Sequence, residues 1–213
     1  MIVGLIAIGV VAYLIGCIPT AWIAMKLRNG ADIRSEGSGN VGARNVYDVK
    51  GSTSLAVVVA VIDAVKGAAV MAAVMWFHPE SFYAAAVAAV AVISGHNWNV
   101  LLRGKGGRGL ATALGVFAVL NPAFIIIWGA AYLTGYFVIR RNIHIATIVA
   151  CIGAATLAWS TPDKAMTATT RIAVVDPTSM RVLIAAVCFV LFVRQIEPVR
   201  EFLRTSGFSD DEE

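Results

Sequence analysis

SLAVVVAVIDAVKGAAVMAAVMWF, residues 54–77, is 24 residues long and carries only two charges, Asp63 and Lys66. About 20 consecutive apolar residues suffice for a helix to cross a bilayer, so this stretch reads as a transmembrane span. Six more apolar runs share its character: Ile2–Ala24, Phe82–Leu102, Leu110–Leu120, Pro122–Ile139, Ile143–Trp159 and Val182–Val193. Of these, Leu110–Leu120 and Val182–Val193 are short, as expected of helices beside a polar site that dips into the membrane. The chain is 59% hydrophobic and 14% charged, with mean hydropathy +0.78, well outside the range of soluble domains. The expected fold is all-α: a polytopic transmembrane bundle of about seven helices forming one domain over 1–213, without internal repeats. The first run has no basic segment before it and stays apolar for more than 20 residues, so it reads as a retained helix rather than a signal peptide.

Charge sets the expected orientation. With seven crossings, the loops at 26–53, 95–109 and 140–142 and the tail from 194 share one side, and they hold 13 of the 17 Lys and Arg residues. The positive-inside rule then puts these loops and the C-terminus in the cytoplasm and the N-terminus outside. The net charge of +4 reflects this asymmetry and calls for no nucleic-acid partner. Residues 206–213 read as a disordered acidic tail. Cys17, Cys151 and Cys188 sit in apolar runs at unrelated spacings, so they read as buried core residues and not as a metal signature.

Two cytoplasmic loops concentrate the chemistry. The second reads Gly95-His96-Asn97-Trp98, then Gly104-Lys105-Gly106-Gly107-Arg108-Gly109, then Leu110-Ala111-Thr112. Closely spaced glycines leave backbone N–H groups open to a ligand, Lys105 and Arg108 add positive charge, and the loop feeds a helix N-terminus. Topology needs only the cations, so the dense glycines point to phosphate. The spacing is not that of a Walker A loop. His96 borders this loop and reads as a general base or substrate hydrogen-bonder, whereas His78 and His144 sit at other span ends. The first loop offers Gly37, Ser38, Gly39, Asn40, Gly42, Arg44 and Asn45, an arrangement that suits either a self-bonded turn or a phosphate held by Arg44. Asp63 and Lys66, three apart, share one helical face, where they either pair with each other or open onto a polar cavity.

Together these elements resemble the PlsY family of acyl-phosphate:glycerol-3-phosphate acyltransferases. The resemblance rests on Asp32, Arg34, Gly37, Ser38, Gly39, Asn40, Gly42, Ala43 and Asn45; on Asp63, Lys66 and Gly67; and on Gly95, His96, Lys105, Gly106, Gly107, Arg108, Gly109, Ala111 and Thr112. It implies a multi-pass enzyme of the cell inner membrane that moves a fatty acyl group from acyl phosphate to the 1-hydroxyl of glycerol 3-phosphate, using no metal and no cofactor. Lys105, Arg108 and the loop amides of Gly106, Gly107 and Gly109 are expected to hold the donor phosphate, and Arg44, Asn45 and Lys66 the acceptor, with Ser38 and His96 orienting the attacking hydroxyl; Asn40 and Thr112 are further expected phosphate contacts. Oligomeric state is left open.

The chain departs from the family pattern at several positions. Arg44 stands where Thr is usual, Asp48 where Arg is usual, and Asn99 where Pro is usual. The C-terminal Arg-His-x-x-Asn element is replaced by Arg194-Gln195-Ile196-Glu197-Pro198. These departures suit a divergent paralogue with an altered acceptor or weak activity. A small transporter using Asp63 and Lys66 as an ion path is the alternative from another class.

Overall fold

The computed structural model describes residues 2–172 and 176–205, so the expected acidic tail at 206–213 lies outside the described residues. Eleven α-helices follow one another, with no strand among the described residues. They are α1 (Ile2–Gly16), α2 (Thr20–Asn29), α3 (Ala43–Lys50), α4 (Thr53–Phe77), α5 (Phe82–Asn97), α6 (Leu110–Leu120), α7 (Pro122–Thr134), α8 (Ile143–Ser160), α9 (Asp163–Thr169), α10 (Pro177–Val193) and α11 (Ile196–Thr205). Six helical runs are long and apolar enough to cross a membrane: Ile2–Arg28, Thr53–Phe77, Phe82–Leu102, Pro122–Ile139, Ile143–Ser160 and Pro177–Arg204. The weak Val182–Val193 run gains length at both ends, from Pro177, in the first turn of a helix capped by Asp176, to Arg204.

The remaining expected span, Leu110–Leu120, is a helix of 11 residues. At 1.5 Å per residue it is about 16 Å long, roughly half the hydrocarbon thickness. It still joins the two ends of the bundle. Its far end is tied to the loop between α8 and α10: Asn121 Nδ2 donates to the hydroxyls of Thr169 (3.2 Å) and Thr170 (3.0 Å), and Arg171 N donates to Leu120 O at 2.9 Å. Its near end starts from a loop that dips into the bundle, which makes up the missing length.

Small residues let the central helices approach closely. A Cβ on Gly16 of α1 would collide with the carbonyl of Val92 on α5, and one on Gly95 with the carbonyl of Tyr13. The α4–α6 pair repeats this reciprocity, with Gly67 against Thr112 and Gly115 against Ala64. Backbone contact of this kind is how helices associate where water supplies no hydrophobic drive. α5 is the axis of the bundle: Ala85, Ala88, Ala89, Val92 and Ile93 are fully buried. The outer faces of α1, α4 and α7 expose Val, Ile, Leu and Phe, as a lipid-facing surface requires.

Candidate active site

The site begins at a break in the first span. Pro19 has no N–H and cannot continue α1, so the helix stops at Gly16 and its last carbonyls need partners. Side chains from elsewhere take them. Lys66 Nζ donates to Gly16 O and Ile18 O, both at 3.1 Å, and Asn99 Nδ2 donates to Cys17 O at 2.6 Å. The same ammonium pairs with Asp63 Oδ1 at 2.9 Å and lies 2.9 Å from His96 Nδ1, while Thr20 Oγ1 donates to Asp63 at 3.0 Å. Asp63, Lys66 and His96 are all buried. A buried carboxylate and ammonium persist only when fully partnered, and here each has several partners. With Lys66 as an ammonium donor, the Nδ1 of His96 accepts, which leaves the ring hydrogen on Nε2.

Next comes the glycine-rich loop. Gly107 lies against the His96 ring so closely that a Cβ there would overlap Nε2. Gly109, at φ 73°, is the N-cap of α6 in the left-handed region that glycine favours. The expectation that the loop's amides stand open is corrected in part. Gly104 N donates to Asn99 O (2.8 Å), Lys105 N to Leu102 O (3.3 Å) and Gly107 N to His96 O (2.9 Å). Their carbonyls are held as well: Gly106 O accepts from Val41 N (3.2 Å) and from Arg194 (3.2 Å), and Gly107 O accepts from Arg194 Nε (3.1 Å). Packing and chain direction therefore account for several of these glycines. The donors that face a ligand come instead from the first turn of α6 and from side chains.

Two cavities adjoin at this end of the bundle, one mixed and one mainly polar. One, of about 320 Å³, is lined by the polar Arg44, Asp63, His96, Arg108, His144 and Gln195 and by Leu110, Ala111, Tyr132 and Ile143. The second, of about 370 Å³, is lined by Arg34, Ser38, Lys105, Gly106, Arg194, Glu197 and Glu201. Asn40 and Arg108 line both and form the partition. Burial, and then the neighbouring cation of Arg194, hold the Arg108 guanidinium below its ordinary pKa, with Asp48 and Glu201 opposing. A bound anion would relieve that stress.

The predicted site residues thus divide. Ser38, Lys105 and Gly106 face the second cavity; Arg44, His96 and Gly109 face the first; Asn40 and Arg108 serve both. Ser38 and His96, expected to act on one hydroxyl, lie on opposite sides of the partition. Three predicted binders have other duties here. Asn45, 1% exposed, donates to Ile33 O and Glu36 O and accepts from Ser38 N, so it shapes the first loop. Thr112 is fully buried, its carbonyl against Gly67. Lys66 lines neither cavity and acts on His96. Arg44 reaches the first cavity while its Nε bonds Asp48 at 3.0 Å. The sequence reading did not include Asp63, Tyr132, His144, Arg194 or Gln195 among the site residues. Asp63 had a usable signal, a charge three residues from Lys66 within an apolar run. Arg194 and Gln195 also had one, their place at the C-terminal element of the resemblance, whereas the meeting of His144 with Gln195, 51 residues apart, had none.

Residues 6–204 match the profile of the family described as glycerol-3-phosphate acyltransferase. A glycerol-3-phosphate acyltransferase of Syntrophotalea carbinolica is 47% identical over 116 residues, which is 54% of this chain and 58% of that protein. Glycerol-3-phosphate acyltransferase 2 of Moorella thermoacetica is 39% identical over 141 residues, 66% of this chain and 71% of that protein. The chain spans a little over half the length of the first curated relatives it matches. A crystal structure of PlsY, an integral membrane glycerol 3-phosphate acyltransferase, in its glycerol 3-phosphate form, superposes with TM-score 0.75 at 29% identity. That match covers 95% of this chain and 93% of the PlsY chain. The lysophosphatidic acid form of PlsY gives 0.73 over the same shares.

Proposed function

The chain belongs to the glycerol-3-phosphate acyltransferase family, and from that premise we propose that it transfers a fatty acyl group from acyl phosphate to the 1-hydroxyl of glycerol 3-phosphate. The products are lysophosphatidic acid and inorganic phosphate. The observation that carries this reading is the pair of cavities sharing Arg108. Two anionic substrates must react with each other, and a guanidinium between them offsets their repulsion while presenting several donors.

Wall chemistry supports an assignment of the substrates in which Arg108 and Gly109 stay with the donor, as expected from the loops, while Lys105 and Arg44 exchange sides. The first cavity has apolar walls from Leu110, Ala111, Tyr132 and Ile143 and suits the acyl donor, with its phosphate on the α6 N-terminus beside Arg108. The second is polar and cationic and suits glycerol 3-phosphate, with Ser38, Lys105 and Arg194 as its contacts. In the reaction the glycerol 1-hydroxyl oxygen bonds to the acyl carbon and the bond from that carbon to the phosphate oxygen breaks. The hydroxyl proton passes to a phosphate oxygen of the substrates, whose second pKa near about 6 suits it to accept. His96, with Nδ1 engaged by Lys66, serves as an Nε2–H donor to the developing negative charge rather than as the base. Asp63, Lys66 and Asn45 position the groups that touch substrate.

The site end is taken to face the cytoplasm of the cell inner membrane, with the N-terminus outside, in keeping with its share of the basic residues. Incubating the purified protein with acyl phosphate and glycerol 3-phosphate and measuring lysophosphatidate and phosphate tests the function. Equimolar products that vanish in Arg108→Ala support it. Absence of turnover in the wild type overturns it, and retained glycerol 3-phosphate binding would then favour a divergent paralogue, as the Gln195 and Pro198 departures allow.

A further inference from the structure

Outside both cavities, α7 ends in one wide turn that no step of the reaction uses. Gly135–Ile139 form a π-helical turn, closed by Arg140 N donating to Gly135 O at 3.1 Å. Such turns within helices occur frequently at functional sites. Gly135 sits so close to α8 that a Cβ there would press on Ala146 Cα and Val149 Cβ. The residues after it face outward: Phe137, Val138 and Ile139 are 65, 77 and 60% exposed. Apolar side chains on the outside of a membrane bundle meet lipid chains. Arg140 and Arg141 follow at once, both exposed, so two guanidiniums stand where the hydrocarbon-facing surface ends. α11 adjoins this turn. Its Ile196, Val199 and Phe202 are half-buried, whereas Glu197, Arg200, Glu201 and Arg204 are exposed. A helix of this two-faced pattern lies in the membrane interface rather than across it. Glu197 and Glu201 line the second cavity, and the Phe202 ring lies 4.9 Å below the Arg140 guanidinium. Cations, an aromatic ring and exposed alkyl groups thus meet at headgroup height.

We infer that the Phe137–Arg141 turn and the adjoining face of α11 form a binding site for one anionic phospholipid. Its acyl chains lie along Phe137, Val138 and Ile139, and Arg140 and Arg141 hold its headgroup phosphate through charge-assisted hydrogen bonds. Every phospholipid carries that phosphate, but in a zwitterionic one the ammonium cancels its charge. Two adjacent guanidiniums therefore select a headgroup of net negative charge, such as phosphatidylglycerol, over phosphatidylcholine. The site is separate from the substrate cavities, neither of which Arg140 or Arg141 lines, and it stands whether or not the proposed reaction does.

The test uses the full chain in detergent and native mass spectrometry with phosphatidylglycerol and phosphatidylcholine of matched chain length. One arginine at a membrane surface is worth about fivefold in binding an anionic lipid. The wild type is therefore expected to retain phosphatidylglycerol about twentyfold more tightly than phosphatidylcholine, and the double variant Arg140→Gln, Arg141→Gln to bring the two within about twofold. Arg141→Gln alone leaves the Arg140–Phe202 contact in place and removes a side chain that enters no ion pair among the described residues. It should cut the preference about fivefold, and it carries the test should the double variant fail to fold. Lys164→Gln, an exposed cation at the far end, should change nothing. A preference that survives in both arginine variants overturns the inference, as does an equal fall in Lys164→Gln, which would report overall charge. Displacement of the lipid by inorganic phosphate would mark a site for free anions instead, and a doubled mass lost in Arg141→Gln would mark a contact with a second copy; either result overturns it too.

Discussion

The two ends of the bundle handle positive charge in opposite ways. At the far end, Arg181 is consumed by structure: its guanidinium bonds Ala158 O (3.2 Å), Thr161 O (2.7 Å) and Asp163 Oδ1 (2.6 Å). Arg171 NH1 likewise donates to Ala118 O at 3.3 Å. At the site end, Lys105 and Arg108 enter no ion pair among the described residues, and burial together with the Arg194 cation holds the Arg108 guanidinium below its ordinary pKa. Cations that a fold needs are neutralised by that fold. Cations left out of ion pairs on a cavity wall, even with Glu197 and Glu201 lining the same cavity, remain available to a ligand.

That contrast can be broken experimentally, most severely at the partition. Arg108→Ala is expected to lower kcat/KM about a thousandfold, because it removes charge-assisted hydrogen bonds to both substrates; Arg108→Lys should restore only part, lacking the fork. Gly107→Ala comes next. Its Cβ would overlap His96 Nε2, so turnover should fall about a hundredfold, with a loss of roughly 1–3 kcal/mol in stability from overpacking. A smaller and more discriminating effect separates the cavities: Ser38→Ala and Lys105→Ala should raise the KM for glycerol 3-phosphate about tenfold with little change for acyl phosphate, while Arg44→Ala should do the reverse. If all three moved both constants together, the two-cavity assignment would be wrong.

The far end should respond only in stability. Arg181→Ala is expected to cost about 1 kcal/mol, seen as a melting-temperature shift of a few degrees, with kcat/KM unaltered. The least effect is expected from acid. Hydrogen bonds from Arg34, at 2.6–3.3 Å, hold the Asp32 carboxyl well below the usual carboxylate range. A lowered folded-state pKa means the contribution is complete above the unfolded value of about 3.9 and is lost as pH falls below it. The melting-temperature gap between wild type and Asp32→Asn should therefore stay constant from pH 8 to 5 and narrow below about pH 4.

Particular residues show how much of this was legible beforehand. The spans Thr53–Phe77, Phe82–Leu102 and Pro122–Ile139 agree with the apolar runs to within a residue, because insertion into lipid depends on hydrophobicity summed along a local stretch. The pairing of Asp63 with Lys66 was legible from helical spacing. Asn45 was not: its amide turns inward onto Ile33 O and Glu36 O, and sequence cannot distinguish an asparagine that shapes a loop from one that meets a ligand. The glycines of the second loop carried a true signal of close approach, but the object approached is His96 and the loop's own carbonyls as much as any phosphate.

The amino-acid sequence alone determined that this is a multi-pass helical membrane protein with its polar residues gathered in two loops, since those properties follow from composition and period over neighbouring residues. Only the tertiary structure decided that Ser38 and His96 face different cavities, that Lys66 bonds the broken end of α1 and His96, and that His144 meets Gln195. Such facts depend on which helices cross and how closely their backbones approach. That is settled by glycine contacts and hydrogen bonds between segments up to 88 residues apart, such as Arg194 to Gly106, where no local pattern reaches.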